Sequence, residues 1–405
     1  MKIFSVIAAA VFCAALAIVP VGCSSGGGGS DSGGSSSGAA PGPGAGFVIF
    51  PNDPLSDNPT GGSVSSVLQS VQLFNSNGTA LSTPSLSQPV VYNGVGDIDG
   101  SALTPDGSHG VFVDGANSNM YFFTVQNGYA QPTGGMHSLS ISTFGTDADS
   151  VALTKDGDEA VVSMDDSNTL LLVAGINSGN PKPAAYIYPS DYRDGVALSD
   201  DNTVLLARGS SGLDVFAINS VSESGWNGTT VTHAFYLKTD LTNMGETTYD
   251  SGGHDGIAFS PGVSDRAVVI ANATNSSSSS INLVMGLPNS AFVNSTVPIN
   301  DNVHSVAVSG DLAIVGTDHG IQMFSGVKEG TLSYVASMSS YNNGSTSIGR
   351  VTTLQITSNG QYVVAGDYDN GALLNIPITS TPGFGNPAGV LTGVSVPWND
   401  EMMVH

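Results

Sequence analysis

Asp99, Asp149, Asp194, Asp255 and His304 share one recurring place in a 405-residue chain: three residues ahead of the centre of a short apolar segment. Thr352 holds that place in a sixth copy. Aligning the closing Val396–His405 with Val297–His304, across a short gap, puts His405 in a seventh. Two places earlier stand Asp97 and Asp147, which makes Asp-x-Asp pairs; His254 adjoins Asp255, and Arg350 precedes the sixth copy. Carboxylates gathered from separate segments repel one another, so either some are protonated or a cation lies among them. Carboxylates with carbonyls and water suit Ca²⁺ or Mg²⁺; adding His304, His254 or His405 suits Zn²⁺ or Mn²⁺. On such an ion His304 or His254 could act as general base in a hydrolysis. The other role open to these acids is structural, because short polar side chains beside turns accept backbone N–H bonds from neighbouring loops. Repetition from copy to copy favours this second role, since packing repeats while chemistry need not.

The segments that must position these residues are the repeats themselves. Ser101-Ala-Leu-Thr-Pro-Asp-Gly107 leads into Gly110-Val-Phe-Val113, and Val151-Ala-Leu-Thr-Lys-Asp-Gly157 into Ala160-Val-Val-Ser163. Val196-Ala-Leu-Ser-Asp-Asp-Asn202, Ile257-Ala-Phe-Ser-Pro-Gly262, Val306-Ala-Val-Ser-Gly-Asp311 and Leu354-Gln-Ile-Thr-Ser-Asn-Gly360 follow, each with a second apolar strand. Their central residues Ala102, Ala152, Ala197, Ala258, Ala307 and Gln355 are spaced by 50, 45, 61, 49 and 48. Asp-Gly and Asn-Gly accept the positive φ of tight hairpins, and Pro fixes φ where the turn begins. A third apolar stretch follows each pair, as in Met120–Val125 and Ile321–Phe324. A period near 45–50 with several short strands predicts an all-β fold, a β-propeller with one blade per repeat. The five small alanines fit strands that line a crowded central axis. Phe47–Phe50, Ser70–Phe74 and Pro89–Tyr92 at one end, with the closing segment at the other, predict a seventh blade shared by both termini. Such sharing closes the ring and removes its open edges. The acids would then form a ring at one mouth of the central channel.

The Ala-Leu-Thr-Pro-Asp-Gly pattern resembles the YVTN and lactonase-type seven-bladed propeller repeats, which are also WD40-like. This resemblance spans most of 47–405 and implies the fold. It also implies, as one reading of function, a metal-dependent hydrolase of lactonase type at the channel mouth. In that reading Asp99, Asp149, Asp194 and Asp255 hold the ion and His304 or His254 is the base.

The first 46 residues differ from the rest. Met1 and Lys2 open an apolar run from Ile3 to Val21, followed by Gly22-Cys23-Ser24-Ser25. A short positive start, an apolar stretch and small residues form an export signal over 1–22. A cysteine directly after that glycine resembles the lipobox of bacterial lipoproteins, which implies acylation of Cys23 and, with Ser24 behind it, sorting to the outer membrane. The run is also nearly long enough to span a bilayer. Residues 24–46 are Gly, Ser, Ala and Pro with a single Asp; such a stretch buries nothing and reads as a flexible tether.

Charge narrows the partners. Nine basic against 33 acidic residues give a net charge of −24. That disfavours nucleic acid and anionic lipid head groups, which need a basic surface. With Cys13 in the leader, only Cys23 remains after cleavage, so the fold stands without an internal disulfide. The Gly34–Gly38 match to a nucleophile elbow falls inside the tether, where no strained turn forms. Met164–Ser167 reads as a turn, and sequons such as Asn227 and Asn294 are ordinary in so Ser/Thr-rich a chain. Gly225–Gly253 is the longest excursion between blades, with Trp226, His233, Phe235, Tyr236 and Tyr249 either meeting a partner or capping a core. Without a hydrolase or nucleotide motif, the first expectation is a cell-envelope lipoprotein that presents a propeller to a protein or polysaccharide partner.

Overall fold

The computed structural model describes residues 47–404 apart from 53–66, 76–78, 88–89, 93, 97, 105, 134–137, 190–192, 210–211, 226–229, 242–255, 273–278 and 398–401. The leader, Cys23, the tether, Asp97, His254, Asp255 and His405 lie outside the described residues.

Seven antiparallel sheets form a seven-bladed β-propeller. Blade I begins with Ile98–Leu103, blade II with Ala148–Leu153, blade III with Gly195–Leu198 and blade IV with Ile257–Phe259. Blade V begins with Val303–Ser309 and blade VI with Val351–Ile356. Each of these innermost strands pairs in sequence order with a second, third and fourth. Blade VII takes its inner strand Met403–Val404 from the C-terminus and Phe47–Asn52, Val67–Phe74 and Ala80–Leu86 from the N-terminal side. The expected sharing of the seventh blade is therefore what the chain does, with Val48 opposite Val404 and Ile49 opposite Met403.

The core is not one mass but seven clusters, each wedged between neighbouring blades. Val111, Phe122, Val162 and Leu171 fill the space between blades I and II. The five junctions from blade II round to blade VII have their own clusters. The last cluster, with Phe47, Ile49, Phe112 and Met403, closes blade VII onto blade I. All seven clusters are built from residues between 47 and 404.

Hydroxyl groups stitch the blades together. Ser163 Oγ donates to the Asp194 carbonyl at 2.8 Å, Ser305 Oγ to Val351 at 3.2 Å and Thr352 Oγ1 to Pro397 at 2.7 Å. The backbone N–H of Asp147 reaches Ser118 Oγ at 3.1 Å. Part of the long excursion after Gly225 is the fourth strand of blade III, Thr230–Leu241, paired with the 13-residue Gly212–Ser224. This explains the spacing of 61. Phe235 packs on the core between blades II and III, His233 is buried, and Tyr236 is exposed. Trp226 and Tyr249 lie outside the described residues.

Candidate functional site

The innermost strands begin at what we call the upper mouth of the central channel and end in hairpins at the lower mouth. The recurring offset has a structural cause. In blade I, Ile98 pairs with Asp114 and Gly100 with Val113, so Asp99 is an extra residue in the ladder. His304 is the extra residue between the pairs of Val303 and Ser305, and Thr352 between those of Val351 and Thr353. In blade II the same slip falls across Asp149 and Ser150. A bulge takes a residue out of the hydrogen-bond ladder and re-aims its side chain. Asp99, Asp149 and His304 thus sit where their strands are locally broken, whereas Asp194 precedes an unbroken ladder in blade III.

Blades I and II bring carboxylates together. A Cβ on Gly115 would lie 2.7 Å from Asp147 Oδ1 and closer still to Asp99 Oδ2, so both side chains close over that glycine. Asp147 takes the left-handed φ of +62°, and burial, then the nearby Asp166, pushes its carboxyl above the ordinary value. Asp194 leads blade III, its N–H donating to the Arg208 carbonyl at 2.9 Å.

Blades V and VI carry a different chemistry. His304, buried, has Nε2 2.7 Å from Asp318 Oδ1, while Asn302 Nδ2 donates to Asp318 Oδ2 at 2.8 Å. The exposed His319 faces both oxygens of Asp301 at 3.1 Å. Arg350 donates through Nε and Nη2 to Asp369 Oδ1 at 3.0 and 2.7 Å, and its guanidinium lies 4.9 Å from the Tyr368 ring centre. Arg350 holds the Asp369 carboxyl below its usual value, with His304 adding to the effect. The mouth is therefore asymmetric, with acids over blades I and II and carboxylate-paired His and Arg over blades V and VI.

Thr352 serves as a stitch to Pro397. Among the described residues no three His, Cys, Asp or Glu side chains assemble into a group that could hold a metal ion. Asp255, His254 and His405 of the expected ring lie outside those residues. Met402, Met403 and Val404 line the channel as Ser101, Ala102 and Leu103 do, so Met403 takes the alanine's place.

The sequence reading did not single out Asp318, Asp301, His319 or Asp369. It also missed two buried pairs. Arg193 Nε lies 2.9 Å from Asp214 Oδ2, and both side chains are almost wholly enclosed. Glu159 meets Thr232 and His233 across the junction of blades II and III. Arg208 is fully buried as well, its Nη1 2.4 Å from where a Cβ on Gly256 would stand. A signal for Asp318 was present, since it closes the second strand of the blade that carries His304.

The inner strands line a cavity of about 280 Å³, open to solvent, in the central channel. Its walls are the central residues Ala102, Ala152, Ala197, Ala258, Ala307 and Gln355, then a layer of Leu103, Leu153, Leu198, Phe259, Val308 and Ile356. The alanines line the axis, as their size suggested.

No family model and no curated protein matches the sequence. Solved structures do. A candidate 6-phosphogluconolactonase from Bacteroides uniformis superposes with a TM-score of 0.64 at 16% identity, over 89% of this chain and 100% of that one. A protein from Lactobacillus plantarum gives 0.62 at 13%, over 89% and 99%. A functionally unknown protein from Desulfotomaculum acetoxidans gives 0.60 at 16%, over 88% and 98%. At these identities the likeness is one of fold: this chain is a seven-bladed β-propeller of the same architecture.

Proposed function

We propose that the protein is an envelope lipoprotein whose propeller is a binding module. Cys23 carries the acyl anchor, residues up to 46 form the tether, and a protein or polysaccharide partner docks on the rim. The observation that carries this reading is the set of large apolar side chains on the outermost strands. Tyr186, Tyr236 with Leu237, Phe292 with Val293, and Tyr334 stand exposed on the fourth strands of four consecutive blades, II to V. Tyr188, just past the blade II strand, is 66% exposed and its ring lies 5.2 Å from that of Tyr186. Exposed aromatics of this number mark contact surfaces, because rigid rings give contact area at little entropic cost. Capture experiments with residues 24–405 against envelope proteins and cell-wall polysaccharides test it. A saturable partner lost on Tyr188→Ala, Tyr236→Ala and Tyr334→Ala together supports the reading; a partner indifferent to that change refutes the rim as the docking face. Labelling with radioactive palmitate, lost in Cys23→Ala, tests the anchor separately.

A second reading rests on His304. A buried histidine oriented by a half-buried carboxylate at a channel mouth is the arrangement of a general base, and candidate 6-phosphogluconolactonases share the fold. Hydrolysis of a lactone panel, with and without Ca²⁺ or Zn²⁺, tests it. Turnover abolished by His304→Gln supports it, and no turnover under any of these conditions retires it.

A further inference from the structure

We infer, resting on the rim as the docking face, that the outer strands of blades II to V take an uncharged polysaccharide, laid across the blades so that successive stretches of it meet successive blades. In each of these four blades the pairing of third and fourth strands slips by one residue. The extra residue is Ala184 in blade II, Lys238 in III, Asn294 in IV and Val335 in V. Leu237, Val293 and Tyr334 stand immediately before it, opposite Phe216, Val284 and Phe324. Tyr236 and Phe292 stand one place earlier. In blade II Pro183 holds the place before the slip, and the rings of Tyr186 and Tyr188 follow it. Blades I and VI pair their outer strands without a slip, and neither exposes a large apolar side chain among the described residues. A bulge re-aims the side chains beside it, so slip and exposed ring occur together.

The same slip narrows the partner. An irregular outer edge is a poor template for a fifth strand, which disfavours an extended peptide. A compact protein epitope gathers its anchoring rings near one centre. Here the rings are divided among outer strands that diverge as the blades radiate from the axis, which suits a long repetitive ligand. Charge decides the rest. Along the four outer strands the charged side chains are Lys182, Lys238 and Asp240, beside the buried His233, on a molecule of net charge −24. A polyanion is repelled by the molecule as a whole. A polycation is drawn to exposed acids on the hairpins, such as Asp106 and Asp156, rather than to this face. A neutral sugar chain meets neither obstacle. The C–H groups on the face of a sugar ring lie against the negative face of an aromatic ring, and several weak contacts on one chain reinforce each other through effective concentration.

Affinity electrophoresis of residues 24–405 through gels containing dextran, laminarin, mannan, hydroxyethyl cellulose or alginate tests the inference. At least one of the four neutral polymers is expected to retard the protein, and alginate to have no effect. Calorimetry with oligosaccharides of the retarding linkage is expected to show affinity rising at least tenfold from dimer to octamer and unchanged by high salt. Tyr236→Ala, Phe292→Ala and Tyr334→Ala are each expected to weaken octamer binding about three- to tenfold, with the β-sheet circular dichroism intact, and Leu86→Ala on blade VII to leave it unchanged. Should an alanine variant misfold, Tyr236→Leu and Tyr334→Leu keep apolar area without the ring, and the same loss is expected. Retardation by alginate as strong as by any neutral polymer, or neutral binding indifferent to these variants, overturns the inference. Retardation by none of the polymers overturns it too. If capture of an envelope protein then still depends on the same tyrosines, the rim remains the docking face and only the class of partner falls; if capture fails as well, both fall.

Discussion

Glu159 has no exposed surface, yet it carries a carboxylate. Burying that charge is costly unless donors surround it. It has three, all from the fourth strand of blade III: the Thr232 N–H at 2.6 Å, Thr232 Oγ1 at 2.8 Å and His233 Nδ1 at 2.5 Å. Glu159→Leu strands those donors without a partner, so a loss of about 3 kcal/mol is expected in urea unfolding at neutral pH. The histidine makes the pair pH-dependent. Its hydrogen bond to Glu159 raises the His233 pKa above the ordinary 6.5, against an opposing contribution from burial and with support from Asp156. A raised folded-state value means the contribution is complete below 6.5 and fades as pH climbs through the higher folded value. Stability is thus expected to fall on the alkaline side of 6.5, and His233→Gln to flatten that slope in denaturation curves taken from pH 6 to pH 9. Nothing in the sequence announced this pair. The partners are 74 residues apart and only blade packing brings them together. Asp99 and His304, by contrast, were legible because their offset recurs.

At the scale of the element, the motif that made the repeats visible is a turn-closing device. Thr154 Oγ1 donates to Asp156 Oδ1 at 2.6 Å and accepts the Glu159 N–H at 3.1 Å, while Gly157 turns the chain at φ +70°. Thr104 with Asp106, Ser199 with Asp201 and Thr357 with Asn359 repeat the hydroxyl–side-chain bond. The pattern is specific for the fold because it shapes hairpins, and it is silent on activity for the same reason. Thr154→Ala is expected to cost about 1–2 kcal/mol and Thr154→Ser much less, by thermal denaturation. The Asp106 carboxyl, held by Thr104 and Ser108, is lowered to about 2. A lowered folded value gives a contribution present above the ordinary 3.8 and lost as pH falls toward 2. The Asp106 side-chain carbonyl resonance is expected to titrate near 2, and closer to 3.8 in Thr104→Ala, where the two bonds from Ser108 remain. The recurring offset marked the bulged residues but not the bulges themselves, because an extra strand residue looks like any other. Nor did it mark the outermost strands, whose exposed positions keep little alternation, as in Phe292–Ile299.

At the scale of the whole molecule, stability depends on a ring whose last link is two residues long. Met402 lies in the cluster between blades VI and VII, and Met403 in the one between VII and I. Adjacent methionines therefore serve opposite junctions, as neighbours on a strand must. Each single alanine substitution is expected to cost about 2–4 kcal/mol from lost burial and the cavity left behind. Removing Met402–His405 does more than sum those costs. It deletes the pairing of Val404 with Val48 and Met403 with Ile49, and it bares the inner edge of Phe47–Asn52 to the channel. An open strand edge is a template for a second chain. The truncated protein is therefore expected to unfold at a midpoint below that of the Met402→Ala, Met403→Ala double variant and to self-associate in size-exclusion chromatography. A truncated chain that stays monomeric and matches the double variant would mean that side-chain burial alone, and not closure of the ring, sets the contribution of this strand.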